Sequence, residues 1–277
     1  MGVSVLIPTL DERRNLADCL ATVAWSDDVV VVDSGSSDGT PEIAARAGAR
    51  VVDYRWDGRW PKKKGWALAN VAWRHPWLLL LDADERVPPE LAAEIQGAAA
   101  ADGHAGYLLD RRFHFMGRWI RHCGYSPSWN LRLVRRAGAR FEQLVDGDTG
   151  SGDNEVHEHL LADGPVGRLK GRLDHYAWPD IATFVEKHNR YSSWEAAVEV
   201  RGGSGGGLEA PLARRRRLRR LARRLPFRPT ARFLYSYLLR GGFLDGYPGY
   251  ALCRLLASYE LQSVLKAREL RRRGGPG

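Results

Sequence analysis

The chain has 277 residues, 44% of them apolar and 10 of them Trp, which excludes a disordered polymer and leaves room for one large domain or one domain with an appendage. Its formal charge of +9 is unevenly placed: Leu208 to Gly277 carry 17 Lys/Arg against 4 Asp/Glu, a net of +13, so residues 1–207 are left at −4. An acidic body with a basic tail is not a uniformly basic protein. Cys19, Cys123 and Cys253 are few, odd in number and far apart, which suits a reduced compartment. The opening MGVSVLIPTL lacks a basic n-region, so no signal peptide is expected. No run reaches the roughly 18 apolar residues of a spanning helix. The nearest, Phe233 to Leu256, is broken by Arg240, Gly241, Gly242, Asp245, Gly246 and Pro248.

Val3 to Ile7 is a β-branched run stopped by Pro8 and predicts a buried strand, followed by the turn Thr9-Leu10-Asp11-Glu12. A helix with Leu16, Leu20 and Val23 on one face comes next. Val29 to Val32 predicts a second strand, ending in Asp33-Ser34-Gly35-Ser36-Ser37-Asp38-Gly39-Thr40. Pro41 opens a helix that closes near Gly48, and Ala49 to Val52 is a third strand. Strand and helix in alternation with short links predict a right-handed parallel sheet. A dinucleotide fold is excluded, because the first strand-to-helix turn, PTLDERRN, has no glycine to admit a pyrophosphate. Asp33 closes a strand in a polar loop, where a carboxylate can meet a base or a ribose hydroxyl. Asp38 reads instead as the cap of the following helix.

Pro61-Lys62-Lys63-Lys64-Gly65-Trp66 opens a helix running to Trp73. Lysines at a helix start oppose the macrodipole unless an anion such as a diphosphate sits there; a solvated charged face is the other reading. Trp77 to Glu85 reads WLLLLDADE, a run too short for a helix and apolar enough for a fully buried strand. It presents Asp82 and Asp84 at its C-terminal end, where ligands of open α/β sheets bind. Two carboxylates one small residue apart suit Mg²⁺ or Mn²⁺, although one of them could equally cap the helix that Pro88-Pro89-Glu90 begins.

Gly106 to Leu109 predicts another strand, leading into the aromatic and basic stretch from Arg111 to Phe115. Trp119, Tyr125 and Trp129 offer flat faces for sugar stacking or for core packing. Arg132 sits in a strand-like run and could pair with phosphate or with Asp146. His157, His159, His122 and Cys123 lack the spacing of a zinc site. Val166 to Tyr176 predicts two short strands, and Pro179 opens a long helix through Glu199 with Phe184, His188, Tyr191 and Trp194 on repeating faces. Gly202 to Gly207 reads as a flexible linker. Beyond it, Leu218, Leu221 and Leu225 form a narrow apolar stripe among eight arginines between 214 and 224, the pattern of a basic amphipathic helix lying on anionic lipid. Nucleic acid is disfavoured because no base-reading module accompanies the arginines. Phe233 to Leu239 and Tyr250 to Leu256 predict further helices too short to span a bilayer.

PTLDE after the first strand, VVVVDSGSSDGT after the second, and LLLLDADERVPPEL together resemble glycosyltransferase family 2. FMGRWIRHCGYSPSWNLRL, GDNEVHEHL, EKHNRYSSWEA and GFLDGYPGY narrow the likeness to its bacterial lipopolysaccharide-core and exopolysaccharide subgroup. The resemblance covers residues 3–200 closely and the tail from Thr230 more loosely. It implies an α/β GT-A fold with a central mixed sheet, a nucleotide-sugar donor (UDP-hexose favoured), a divalent metal, Mg²⁺ or Mn²⁺, and inversion at the anomeric carbon. Carried onto this sequence, it implies Pro8, Asp11, Glu12, Asp33, Ser34, Lys64 and Asp82 at the nucleotide, and Asp84 with Asp82 at the metal. Asp11 replaces the usual Asn before Glu12, and Lys63-Lys64-Gly65 replaces the usual basic residue followed by Asn. Glu158 falls where the family carries its catalytic base, with Asp153 and Glu155 as runners-up. His157, Arg132, Trp129 and Tyr125 become candidates for the diphosphate or the acceptor.

The domain expectation is a catalytic domain over 1–201, a linker over 202–207, and a basic helical extension over 208–277. The expected acceptor is a cell-envelope glycan or glycolipid, a lipopolysaccharide core or exopolysaccharide precursor. The expected location is cytoplasmic, peripheral on the inner face of the cytoplasmic membrane, with self-association possible through the C-terminal helices. A nucleotide-sugar-binding scaffold on the same fold that has lost its chemistry is the alternative from another class.

Overall fold

The computed structural model describes residues 2–101, 103–142, 159–201 and 227–274. These fall into two compact units. The first is built from Met1–His114, Pro127–Gln143 and the described part of Ser151–Ala177; the second contains Phe115–Ser126 and the described part of Trp178–Gly277.

In the first unit, β1 (Val3–Thr9), β2 (Val29–Asp33), β3 (Arg50–Asp53) and β4 (Trp77–Leu80) pair in parallel in the order β3-β2-β1-β4. The helices between them are α1 (Leu16–Ala21), α2 (Thr40–Arg46) and α3 (Lys63–Asn70). The run Val3 to Ile7 does not stop at Pro8: β1 continues to Thr9, with Pro8 opposite Val32 and Thr9 opposite Asp33. On its other side β4 pairs with β1 only as far as Leu6 and Leu80, so the proline's missing N–H falls outside that ladder.

Beyond β4 the sheet becomes mixed. It runs through β8 (Trp129–Arg135), β6 (Gly106–Phe115) and β11 (Val166–His175) to β5 (Glu85–Arg86), with β8 antiparallel to both β4 and β6, and β11 parallel to β6. The two short strands expected over 166–176 are one strand with an irregularity between Arg168 and Arg172. The two-residue β5, unseen in the sequence, pairs antiparallel with the end of β11, setting His175 opposite Glu85. A separate hairpin-like pair joins β9 (Ala139–Phe141) to β10 (Leu160–Ala162). The leucines of β4 are fully buried because both faces of the sheet are covered. One core layer gathers Ile7, Leu16, Leu79, Leu91 and Ile95, the last two from α4 (Pro89–Ala101), and the other gathers Leu6, Val32, Leu68 and Leu80.

The second unit contains β7 (Arg118–Trp119), α5 (Ile181–Arg201), α6 (Arg228–Leu234), a π-helical turn over Tyr235–Leu239, a 3-10 turn over Gly242–Asp245, and α7 (Gly246–Arg272). Two short C-terminal helices were expected; α7 has 27 residues and starts upstream of Pro248. Pro248 lies in the first turn, where its absent N–H would have had no intrahelical partner. Gly249 is required there, because a Cβ would come within 2.1 Å of the Gly242 carbonyl oxygen. Helix α5 buries every fourth residue, Phe184, His188, Ser192 and Ala196, and α7 buries Leu252, Cys253, Leu256, Ala257 and Ala267. Between them, Tyr259 donates to Glu195 at 2.6 Å, Lys266 donates to the Asn189 side chain at 2.7 Å, and Arg271 pairs with Glu199. The expected linker 202–207 and the arginine stripe 214–224 lie outside the described residues; α5 and α7, on either side of them, belong to one unit. No helix among the described residues is long and apolar enough to cross a membrane.

Candidate active site

The loops that follow β1 and β2 are sewn together at the C-terminal edge of the parallel strands. Asp11 takes a left-handed backbone, φ 54°, uncommon for a residue with a Cβ. Its N–H donates to Ser36 Oγ at 2.8 Å, and its carboxylate accepts the Ser37 N–H at 2.9 Å. The Glu12 N–H donates to Thr40 Oγ1 at 2.9 Å, while its carboxylate accepts from Asn15 at 2.8 Å. Asp38 is not the expected cap, since Gly39 is the N-cap residue of α2 and no side chain caps it; Asp38 instead accepts the N–H groups of Thr40 at 3.0 Å and Arg13 at 2.9 Å and so ties the two loops together. Asp33 is buried, and its two oxygens accept from Thr9 Oγ1 and Ser36 Oγ, and from the N–H groups of Gly35 and Ser36. All of those partners lie in its own loop or in β1, so in this structure Asp33 shapes the loop rim. The Ser34 N–H donates to the Thr9 carbonyl, and half-buried Pro8 lies just inside the strand end.

The end of β4 holds the denser cluster. Lys64 Nζ lies 2.7 Å from Asp82 Oδ1, and Arg132 Nη2 lies 2.5 Å from Asp82 Oδ2 and 2.6 Å from Glu85 Oε1. Glu85 Oε2 in turn accepts the Asp82 N–H at 2.9 Å. Burial opposes the charge on Asp82, but the cations of Arg132 and Lys64 outweigh it and hold the carboxyl well below the usual carboxylate range. Arg132, read from sequence as a partner for phosphate or for Asp146, serves Asp82 and Glu85 here. The lysine run is not a solvated face: Lys63 is buried and donates to the Thr9 carbonyl at 2.8 Å, one residue before Lys64 reaches Asp82.

Asp84 points to a different neighbour. Its Oδ1 lies 3.5 Å from Nε2 of His175, the last residue of β11, and its carbonyl accepts the Tyr176 N–H at 2.8 Å. Behind them Arg112 pairs with Asp174, His114 lies 2.7 Å from the same carboxylate, and the His114 ring stacks on Tyr176 at 4.5 Å. A carboxylate and an imidazole side by side are a donor set that Mg²⁺ tolerates and Mn²⁺ suits. No group of three His, Cys, Asp or Glu that could hold a metal gathers among the described residues. A hard ion that completes its shell with ligand phosphates needs no such cage. Glu85 and His175 escaped the sequence reading: Glu85 was legible only as an acid after the DAD triplet, and His175 only as the end of an alternating run.

Of the remaining candidates, Trp129 lies under the Arg168 guanidinium, 5.2 Å from ring centroid to cation. Tyr125 belongs to the second unit, where its N–H donates to the His122 carbonyl at 3.0 Å. Glu158, His157, Asp146, Asp153 and Glu155 lie outside the described residues.

A parallel sheet with acidic residues at one strand end, entered from loops without a glycine fingerprint, agrees with the family comparison. The model of glycosyl transferase family 2 matches residues 4–152. The chain belongs to that family. As a family 2 glycosyltransferase it is similar over nearly its whole length to "Lipopolysaccharide core biosynthesis glycosyltransferase LpsC" of Rhizobium meliloti. The two are 29% identical over 290 residues, covering 97% of this chain and 95% of the relative. An uncharacterized glycosyltransferase of Rickettsia typhi is 26% identical, covering 97% and 87%. Among solved structures, the mannosyltransferase PcManGT of Pyrobaculum calidifontis superposes with a TM-score of 0.53 at 18% identity, covering 96% of this chain and 86% of that one. The fold is GT-A, and the chain is a glycosyltransferase.

Proposed function

We propose that this family 2 glycosyltransferase is metal-dependent and inverting, and that it moves a hexose from a nucleotide-sugar donor, UDP-hexose first, to a cell-envelope glycan or glycolipid. The observation that carries the reading is the strand end at β4, where Lys64 and Arg132 converge on Asp82 while Asp84 turns to His175. In this reading Pro8, Asp11, Glu12, Asp33 and Ser34 form the nucleoside rim, their loops already held by internal hydrogen bonds. Asp82, oriented by two cations, faces the ribose and the metal's water shell. Asp84, with His175 beside it, would hold Mg²⁺ or Mn²⁺, which when bound supplies positive charge to the leaving diphosphate. Lys64 and Arg132 add fixed positive charge at the same strand end.

Inversion in one displacement needs a single carboxylate to take the acceptor hydroxyl's proton, and Glu158 is assigned that part on the family pattern, with His157 beside it. Trp129 and Tyr125 are assigned to the acceptor. The acceptor class is supported by the resemblance and by the name of the Rhizobium relative; the use of a nucleotide sugar and Mn²⁺ is supported by the complex named for the Pyrobaculum enzyme. The arginine stripe is assigned to the inner face of the cytoplasmic membrane.

The test is donor hydrolysis by the purified chain across UDP- and GDP-sugars, with Mn²⁺ and with excess EDTA, alongside thermal shifts for the same panel. Turnover with Mn²⁺ that EDTA abolishes supports the reading. Equal turnover in EDTA overturns the metal, and a thermal shift with GDP-sugars alone overturns the base.

A further inference from the structure

In the second unit one buried carboxylate ties the segment after β7 to the turns before α7. Asp245 accepts the N–H groups of Arg121 at 3.2 Å and His122 at 2.8 Å, and lies 2.9 Å from His122 Nδ1. The Cys123 N–H donates to the Arg240 carbonyl at 3.2 Å. Where these segments meet, a cleft of about 340 Å³ opens, lined by Arg121, His122, Ser126, Leu239, Arg240 and Gly241. Its polar side chains are two guanidiniums, a hydroxyl and an imidazole already held by Asp245; no carboxylate lines it among the described residues. Neither guanidinium has a carboxylate partner among the described residues, and Arg121 lies over the Trp119 ring, 4.4 Å from its centroid. A donor set with two such forks matches a phosphate.

The rim of this cleft is apolar. Leu239 is 79% exposed, Tyr247 70%, Leu244 59%, Leu238 53% and Phe243 49%. They are carried on consecutive turns braced from beneath by Tyr237, whose ring meets Phe233 at 5.2 Å, Tyr250 at 5.8 Å and Phe243 at 6.2 Å. Exposed large apolar side chains gathered in this way mark an interaction site. The charge around it decides the partner. Residues 115–126 and 227–257 contain six arginines and one acid, and that acid is the buried Asp245. Arg228 among them is paired with Glu199 and Glu260, but leucine and aromatic side chains beside the remaining arginines are the composition of a surface that enters the headgroup layer of an anionic bilayer.

We propose that the cleft and its rim are a phospholipid site: Arg121, Arg240 and Ser126 take the phosphate of an anionic lipid, while Leu238, Leu239, Leu244 and Tyr247 enter the bilayer around it. The site is built from residues other than the arginine stripe at 214–224. The inference rests on the membrane-facing part of the reading above and not on its donor chemistry. It sets one face of the second unit against the membrane, as a transferase acting on membrane-borne acceptors requires.

The experiment is flotation of the full chain with vesicles of phosphatidylcholine alone and of phosphatidylcholine with phosphatidylglycerol, at low and high salt. The paired change Arg121→Gln and Arg240→Gln should weaken binding to the phosphatidylglycerol vesicles roughly tenfold. Leu239→Ser with Leu244→Ser should remove the fraction that survives high salt, and replacing Arg214 to Arg217 with Gln should leave that fraction in place. These positions are exposed, and an unchanged melting temperature confirms the fold. If both paired variants float as the wild type does, the proposal fails. If millimolar inorganic phosphate displaces the vesicles and the rim variant still binds normally, the cleft is a free-phosphate site and the proposal fails. If the rim variant turns an oligomer into a monomer with lipid binding intact, a second copy covers the rim and the proposal also fails. Nucleotide-sugar hydrolysis in the same samples reports on the donor reading by itself: its absence in the wild type sinks that reading, while flotation still decides this one.

Discussion

Arg132 on β8 and Asp82 at the end of β4 form a part-buried ion pair, 2.5 Å from Nη2 to Oδ2, and the same nitrogen reaches the fully buried Glu85 at 2.6 Å. One guanidinium therefore bridges two carboxylates that would otherwise repel each other at the sheet edge, and Lys64 supplies a second cation to Asp82. Removing one partner of such a cluster leaves uncompensated charge in a poorly solvated place, which costs about 3–5 kcal/mol. Arg132→Met should lower stability by an amount in that range, read from the urea midpoint at constant slope. A midpoint within experimental error of the wild type would mean that the carboxylates find other partners.

The same pair sets a pH dependence. The folded Asp82 carboxyl titrates well below its value in the unfolded chain, held there by Arg132 and Lys64 against the cost of burial. A group depressed in this way contributes stability that is fully present above the unfolded value, near 4, and is lost as pH falls through the folded one. Melting temperature should therefore fall as pH drops from about 4 toward 2, and more steeply in the wild type than in Asp82→Asn. Parallel curves for the two proteins would refute the assignment.

The metal assignment divides between Asp84 and His175. Asp84→Asn should abolish transfer while leaving the melting temperature near that of the wild type, because the lost effect on leaving-group charge is worth several kcal/mol. His175→Gln should retain activity but require on the order of tenfold more Mn²⁺ for half-maximal rate, since a neighbouring ligand tunes affinity by that order. Full activity of Asp84→Asn, or an unchanged Mn²⁺ requirement in His175→Gln, would remove the residue concerned from the site.

How much of this was legible beforehand depended on distance along the chain. The strands β1, β2 and β4 and the acids at their ends are local patterns, so an apolar run and its terminus could be read directly from VSVLI, VVVVD and LLLLDADE. Arg132 and His175 reach the site by pairing: β8 lies against β4, and the end of β11 lies against β5, setting His175 opposite Glu85. Nothing within ten residues of His175 signals that register. The C-terminal helix was missed for the opposite reason. Gly246 and Pro248 read as breakers, whereas Pro248 occupies the first turn, where its residue type is tolerated, and Gly249 beside it permits a close crossing.

The catalytic base is tested without its geometry. Glu158→Gln keeps the size and most hydrogen bonds of the side chain but cannot accept a proton. It should bind the donor normally and lose roughly 10²–10⁴-fold in transfer. Normal transfer by Glu158→Gln together with loss in Asp153→Asn would move the base to Asp153.

The arginine stripe calls for substitution and not truncation. Deleting 208–277 would turn a net charge of +9 into −4, but it would also strip α7 from α5 and uncover the buried His188 and Ser192, which meet Tyr259 and Gln262 of α7. Loss of lipid binding by a truncated chain would then say nothing about charge. Replacing Arg214 to Arg217 with Gln removes four charges and leaves α7 in place. At about 1 kcal/mol per basic residue near an anionic surface, four arginines set a ceiling of about 4 kcal/mol, from which ordering of the side chains subtracts. The variant should bind phosphatidylglycerol vesicles at least tenfold more weakly at low salt. The gap should narrow as salt rises and screening weakens the wild type's advantage. Thermal shifts with nucleotide sugars should be the same in both proteins. Equal flotation of the two at low salt would make the stripe a solvated or docked helix and confine membrane contact to the described part of the second unit.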